Sequence, residues 1–96
     1  MPEKFTRYDT AEYLKTNSDM AAYLDACMEE AWDDHAFIAN ALGVIARARG
    51  MTQLARDTGL ARENLYKALS ADGNPEFGTI LKVIKALGLK LHAQSA

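Results

Sequence analysis

Five side chains suited to hydrogen bonding with nucleic acid lie within one short segment of the chain. They are Arg62, Glu63, Asn64, Tyr66 and Lys67. Arginine, lysine and asparagine donate to acceptors on base edges and phosphates, and glutamate accepts from the amino groups of bases. If the segment is a helix whose apolar residues face the protein, these residue types indicate contacts in the major groove of DNA.

Two short helices joined by a glycine turn are predicted to present these side chains. Thr52 is expected to cap the first helix, and Gly59 to end it in a backbone conformation that other residues resist. Ala55 is small where the two helices cross, while Leu65 and Leu69 turn inward from the second helix. This pattern is typical of a helix-turn-helix. An ordinary helical hairpin that binds no DNA has the same pattern, so both interpretations stay open.

The net charge of −2 is distributed unevenly along the chain. Residues 1–40 contain three Lys and Arg against nine Asp and Glu, whereas residues 41–96 contain eight against four. A basic half suits the phosphates of DNA, and an acidic half suits a second, different partner. The acidic residues can equally form an ordinary solvated face.

Length and composition favour a single soluble globular domain, since 49% of the 96 residues are hydrophobic and 25% are charged. No apolar run approaches the roughly 20 residues of a membrane span. The N-terminus lacks the apolar core of a signal peptide, so a cytoplasmic location is expected. The single cysteine, Cys27, permits no internal disulfide. No nucleophile–base pair or phosphate-binding glycine loop is visible, which argues against an enzyme, and no metal or cofactor is predicted.

Residues 1–36 are predicted to form a helical extension before the motif. A capping box at positions 9–12 indicates a short helix from Thr10 to Lys15. Ser18 is expected to cap a second helix, from about Asp19 to Ala31. The apolar stripe of that second helix consists of Met20, Leu24, Cys27, Met28 and Ala31.

The acidic end of that second helix is the candidate surface for a protein partner. Its candidate residues are Glu29, Glu30, Trp32 and Asp33. Acidic side chains attract a basic partner, and tryptophan is a favoured anchor at interfaces. Tyr23 and Trp32 can instead complete the core, and the sequence does not distinguish these two roles.

The predicted helix-turn-helix core covers residues 37–90. Asp33 or Asp34 is expected to cap a helix from about His35 to Arg49. The wide apolar face of this helix makes it the scaffold against which the motif packs.

The last helix is expected to begin after an Asn74 cap, with Pro75 in its first turn, and to stop at Gly88. Its predicted inward residues are Phe77, Ile80, Leu81, Ile84 and Leu87. The following segment, Leu89–Ala93, alternates apolar and polar residues and so predicts a short strand. Such a strand either lies as an extended tail or pairs with a second chain, which would make a homodimer.

Residues 40–91 resemble the lambda-repressor-like, Xre-type helix-turn-helix domain. The Leu-Tyr-Lys-Ala-Leu-Ser segment at positions 65–70 and the Gly-Asn-Pro at positions 73–75 are more similar to one branch, the probable addiction-module antidote proteins of the HigA type. The Asp-Thr-Ala-Glu-Tyr-Leu segment at positions 9–14 is also similar to that branch. The resemblance therefore covers nearly the whole chain. It implies an all-α bundle of five to six short helices, to which the C-terminal strand would be added.

The same resemblance implies a function, a pair of partners and a set of contact residues. The function is that of an antitoxin that neutralises a RelE/ParE-like toxin and represses their shared promoter as a homodimer on double-stranded DNA. The exposed residues at positions 62–67 would contact DNA, and Gln53 would lie where such domains touch phosphates. Ala61 departs from the family, in which serine or threonine is usual at this position. A stand-alone Xre-type repressor and a protein adaptor that binds no DNA are the alternatives.

Overall fold

The computed structural model describes residues 14–96, which fold into five α-helices. They are α1 (Asn17–Ala31), α2 (His35–Arg49), α3 (Met51–Thr58), α4 (Arg62–Ala68) and α5 (Phe77–Ala86). These residues contain no β-strand, and the predicted all-α class is confirmed. The predicted capping box at positions 9–12 lies outside the described residues, as does most of the predicted helix from Thr10 to Lys15.

Side-chain caps set the starts of the two longest helices. Thr16 Oγ1 accepts from Asp19 N at 3.1 Å, and Asp19 Oδ2 accepts from Thr16 N at 3.2 Å. This reciprocal capping box starts α1 earlier than expected, so the predicted Ser18 cap is wrong. Asp34 Oδ1 accepts from Phe37 N at 3.1 Å and caps α2, as predicted for one of two aspartates.

Helix α2 lies at the centre of the fold, as its apolar face predicts. It is buried without interruption from residue 41 to residue 46. A Cβ atom on Gly43 would collide with the main-chain oxygen of Leu69, so glycine is what lets the end of α4 pack against α2. The main hydrophobic cluster of the core contains Leu14, Met20, Leu24, Leu42, Val44, Ile45, Ala46, Met51, Leu54, Leu65, Leu69, Val83, Ile84 and Leu87, and Cys27, Ala39 and Ala41 are buried as well.

The predicted inward side of helix α5 is correct in part. Ile84 and Leu87 are buried and Ile80 packs against the core, as predicted, but Phe77 and Leu81 do not. Phe77 and Leu81 are 67% and 43% exposed, whereas Val83 is fully buried. Two residues turn a helix by roughly 200°, so burial of Val83 directs Leu81 outward. The N-cap of α5 is Glu76, without a side-chain bond, and the predicted Asn74 cap is wrong.

The C-terminal tail, defined here as residues 89–96, has no regular structure. The predicted strand is absent within the described chain, where the segment lies as a tail. Its pairing with a second chain, and with it the homodimer, stays a prediction. Gly88 turns the chain out of α5 at a φ of 77° and lies against Asn17. Arg49 Nη1 fixes this junction, because it donates to Leu87 O at 3.0 Å and to Asn17 Oδ1 at 3.3 Å.

Candidate functional site

A glycine in the left-handed conformation separates α3 from α4. Gly59 has a φ of 76° and a ψ of 13°, a region that glycine enters without steric cost. Its N–H donates to Ala55 O at 2.9 Å. Thr58 Oγ1 donates to Leu54 O at 2.8 Å and accepts from Leu60 N at 3.2 Å. These bonds fix the turn between the two helices, and the predicted role of Gly59 is confirmed.

One side of α4 faces the core and the other faces outward. Leu65 and Leu69 are 1% and 0% exposed, which confirms their predicted inward orientation. The five candidate DNA-contacting side chains of this helix are all exposed: Arg62, Glu63, Asn64, Tyr66 and Lys67. All of them except Asn64 line one shallow depression. The folded chain therefore gathers donors and acceptors on one side of a short helix.

The first residue of α4 is bonded to the first turn of α3. Arg62 Nη1 donates to Thr52 Oγ1 at 3.1 Å. A guanidinium has five N–H groups, so Arg62 can keep this bond while it donates to another acceptor. Helix α3 begins at Met51, with Gly50 as its N-cap, and the predicted Thr52 cap is therefore wrong. The sequence does not predict this bond, because ten residues separate its partners and no local pattern links them.

Gln53 also lies in the first turn of α3, as expected from the resemblance. Its Nε2 donates to Asp57 Oδ1 at 2.8 Å, which holds the amide along the exposed side of the helix. No side chain caps α3. The first N–H groups of a helix have no acceptor within it, so this end of α3 offers donors close to the Arg62–Thr52 bond.

The candidate partner residues at the end of α1 are all exposed. Glu29, Glu30 and Asp33 lie at the surface, and Trp32 is 64% exposed. The structure shows which of the two aromatic residues belongs to the core, while the partner role of Trp32 stays a prediction. Tyr23 is half-buried and packs against the core, whereas Trp32 lies outside it.

A groove runs between α1 and the C-terminal tail, and we call it the α1 groove. Leu24, Asp25, Met28, Glu29 and Trp32 line it from the helix, and the tail lines it from the other side. Gln94 Nε2 donates to Glu29 Oε2 at 3.3 Å across it. Glu30 and Asp33 do not line this groove. Of the four candidate partner residues, Glu29 and Trp32 therefore border this groove.

Cys27 lies in the core beneath the exposed face of α1. Burial raises the pKa of its thiol, which keeps the sulfur protonated and a poor nucleophile. The prediction that Cys27 is a core residue is confirmed. Among residues 14–96, no three His, Cys, Asp or Glu side chains converge to hold a metal ion. Nor is any helix in that part of the chain long and apolar enough to cross a membrane.

Comparison with known proteins identifies relatives of the whole chain. A family model described as "Probable addiction module antidote protein" matches residues 4–95. An uncharacterized protein of Haemophilus influenzae is 47% identical over 96 residues, an alignment that covers 100% of this chain and 97% of that protein. No solved structure matches the chain significantly.

Proposed function

Since this chain belongs to the family of probable addiction module antidote proteins, we propose that it is the DNA-binding antitoxin of a type II toxin–antitoxin system. It neutralises a RelE/ParE-like toxin and, as a homodimeric Xre-type regulator of the HigA kind, represses the operon that encodes both proteins. The observation that supports this proposal most directly is the exposed polar face of α4 in a chain that the family covers almost completely.

The DNA-binding part of the proposal assigns a role to each exposed residue of the motif. Burial of Leu65 and Leu69 orients α4 so that its polar side can enter the major groove. Arg62 and Asn64 contact base edges there, with Glu63 and Tyr66 beside them, and Lys67 contacts phosphate. Gln53 and the uncapped first turn of α3 bind a phosphate of the backbone, because helix N-termini favour anions.

The distribution of charge along the chain supports separate binding regions for DNA and for the toxin. The eight Lys and Arg of residues 41–96 outnumber the four Asp and Glu there. A protein that neutralises phosphates with such side chains releases counterions, so its affinity for DNA falls as salt increases. The excess of acidic residues in the first 40 positions repels DNA and attracts a basic protein instead.

DNA binding is tested on a fragment of the promoter region upstream of the gene, against a scrambled fragment, at about 50 and 200 mM salt. Asn64→Ala should lose roughly 1–3 kcal/mol on the promoter and little on the scrambled fragment. Lys67→Ala should weaken binding to the two fragments equally, and it should reduce the slope of log K against log salt concentration by about 1. Lys15→Ala, which removes one exposed cation from the acidic half, is the matched control. Binding that ignores salt and tolerates both changes would favour a protein adaptor.

Toxin neutralisation is tested with the protein encoded by the adjacent reading frame. Its expression alone should arrest growth, and co-expression of this chain should restore growth. The two proteins should also co-purify close to one-to-one after nuclease treatment. If the chain purifies alone as a dimer and rescues nothing, a stand-alone repressor replaces the antitoxin as the interpretation.

A further inference from the structure

We infer that the partner protein docks in the α1 groove, placing a basic side chain against Asp25 and Glu29, one apolar side chain against Trp32 and another against Leu91. The inference rests on the proposed antitoxin function, which supplies a protein partner. It goes beyond that function by assigning the interface to the concave surface shared by α1 and the C-terminal tail, which Glu29 and Trp32 border and Glu30 and Asp33 do not.

The tail forms a wall along nearly the whole length of α1. It leaves α5 beside Asn17, where a Cβ atom on Gly88 would lie 2.6 Å from the Asn17 Nδ2 atom. It reaches Glu29 through the bond from Gln94. The helix rises about 18 Å between these points, and an extended segment from position 88 to 94 spans at most about 20 Å. The tail therefore runs extended and parallel to α1.

The groove between these two walls has a volume of about 790 Å³ and a partly apolar lining. Leu24 and Met28 supply apolar surface that belongs to, or packs against, the core. Trp32 and Leu91 are both exposed. An exposed tryptophan beside a partly buried apolar floor is a typical anchor point for a protein partner.

The charges of α1 favour a basic partner. From Asn17 to Ala46 the chain has six Asp and Glu and no Lys or Arg. Glu29 is bonded to the neutral amide of Gln94, which leaves its negative charge in place and further lone pairs to accept donors. Lys90, the cation that also lines the groove, is at the opposite end of the tail, close to Gly88. A lysine or arginine of the partner is therefore attracted to the end nearest Trp32.

Helical geometry separates the acidic residues that line the groove from those that do not. Glu29 follows Asp25 by four residues and Trp32 follows it by seven, so the three side chains share one side of the helix. Glu30 is rotated from Glu29 by roughly 100° and does not line the groove. Adjacent glutamates of equal charge and similar exposure thus occupy different surfaces, and this difference makes a matched test available.

The test compares Glu29→Lys with Glu30→Lys in the full chain, titrated calorimetrically with the purified protein of the adjacent reading frame. Glu29→Lys should weaken the Kd by at least about tenfold, because it places a cation where the partner's cation binds. Glu30→Lys should change the Kd by no more than about twofold, as expected for a charge outside the contact. Trp32→Ala should weaken binding about as much as Glu29→Lys, and thermal unfolding of each variant checks that it is folded.

The outcomes separate this inference from the function on which it rests. If the unmodified chain binds the adjacent-frame protein and the two glutamate variants bind it equally well, the α1 groove is not the interface, while the antitoxin function stands. If Glu30→Lys is the more damaging variant, the partner contacts the other side of α1, and the inference is equally overturned. If the unmodified chain does not bind that protein at all, both the antitoxin function and the inference fail.

Discussion

The exposed polar side of α4, here called the α4 face, and the α1 groove differ in how much of their support is buried. The α4 face consists of Arg62, Glu63, Asn64, Tyr66 and Lys67. Behind the α4 face, Leu65 and Leu69 are fully buried, and Gly43 brings the main chain of α2 against the end of α4. Beside the α1 groove, every tail residue from position 90 to 96 is exposed, and the Gln94–Glu29 bond links exposed side chains. One surface is backed by buried side chains and the other is bordered by an exposed tail, so we expect the α4 face to be the more rigid of the two.

This difference suits the two kinds of partner proposed for them. B-form DNA presents a groove of nearly constant width, so a fixed helix loses little entropy when it binds there. A protein surface is less regular, and a wall that can shift allows side chains to adjust to it. Substitutions on each surface can measure whether the two differ in rigidity.

The largest expected effect comes from truncating a side chain behind the α4 face. Leu65→Ala should reduce the free energy of unfolding by about 2–5 kcal/mol, since Leu65 is 1% exposed and its removal leaves a cavity. Trp32→Ala should change that free energy by no more than about 0.5 kcal/mol, because Trp32 lies largely in solvent. Urea unfolding measures both. Equal losses would show that the α1 groove is held as firmly as the α4 face.

A second test targets the backbone contact between α2 and α4. Gly43→Ala should destabilise the fold by about 1–3 kcal/mol, because the added Cβ meets the Leu69 carbonyl group. Gly78→Ala is the matched control, since open space surrounds that position in α5, and it should stabilise by up to about 1 kcal/mol. Thermal unfolding compares the two. Should both variants gain stability, the close approach of α2 and α4 does not hold the motif in place.

A third, smaller effect is expected at the start of α4. Ala61 is the N-cap of this helix, with a φ of −69° and a ψ of 142°, and it makes no side-chain bond. Ala61→Ser should stabilise the protein by about 1 kcal/mol, because serine supplies an acceptor for an N–H group of the first turn. Chemical denaturation provides the measurement, and an unchanged midpoint would mean that these N–H groups already have acceptors. Binding of the adjacent-frame protein should not change.

The smallest effect on stability is expected in the tail. Gln94→Ala should leave the free energy of unfolding unchanged within about 0.5 kcal/mol, since the bond to Glu29 is exposed. Amide hydrogen exchange or proteolysis in the tail should nevertheless become faster than in the Ser95→Ala control, because local opening is easier. If exchange in the tail is the same in both variants, the tail is not held by this bond.

The features predicted correctly from the sequence depend on neighbours in the chain. Gly59 ends α3 in the left-handed conformation, Asp34 caps α2, and Leu65 and Leu69 face inward. Helical periodicity, cap residues and glycine preferences depend on residues within three or four positions of one another. The end of α3, the cap of α2 and the inward side of α4 could therefore be inferred from local sequence. For the same reason, the exposed side of α4 could be specified residue by residue before the fold was known.

The features that sequence analysis missed join residues that lie far apart. No local pattern relates Gly43 to Leu69, or the tail to α1, because only the packed fold brings them together. The inward orientation of Phe77 and Leu81 in α5 was predicted wrongly for a different reason. Phe77 and Val83 are both apolar, so helical periodicity allows either of them to lie on the inward face of α5. The helix also begins later than predicted, after Glu76 and not after Asn74, and this removed the local signal that would have fixed the face.

Arg49 has a consequence for the order in which the molecule folds. Its guanidinium joins the end of α2 to Leu87 and to Asn17, which are 38 and 32 residues away along the chain. Closing loops of this length costs more entropy than forming the short α3–turn–α4 hairpin. We therefore expect the helix-turn-helix to form first and the junction at Arg49 to close late. In stopped-flow measurements, Arg49→Ala should accelerate unfolding while leaving the folding rate almost unchanged.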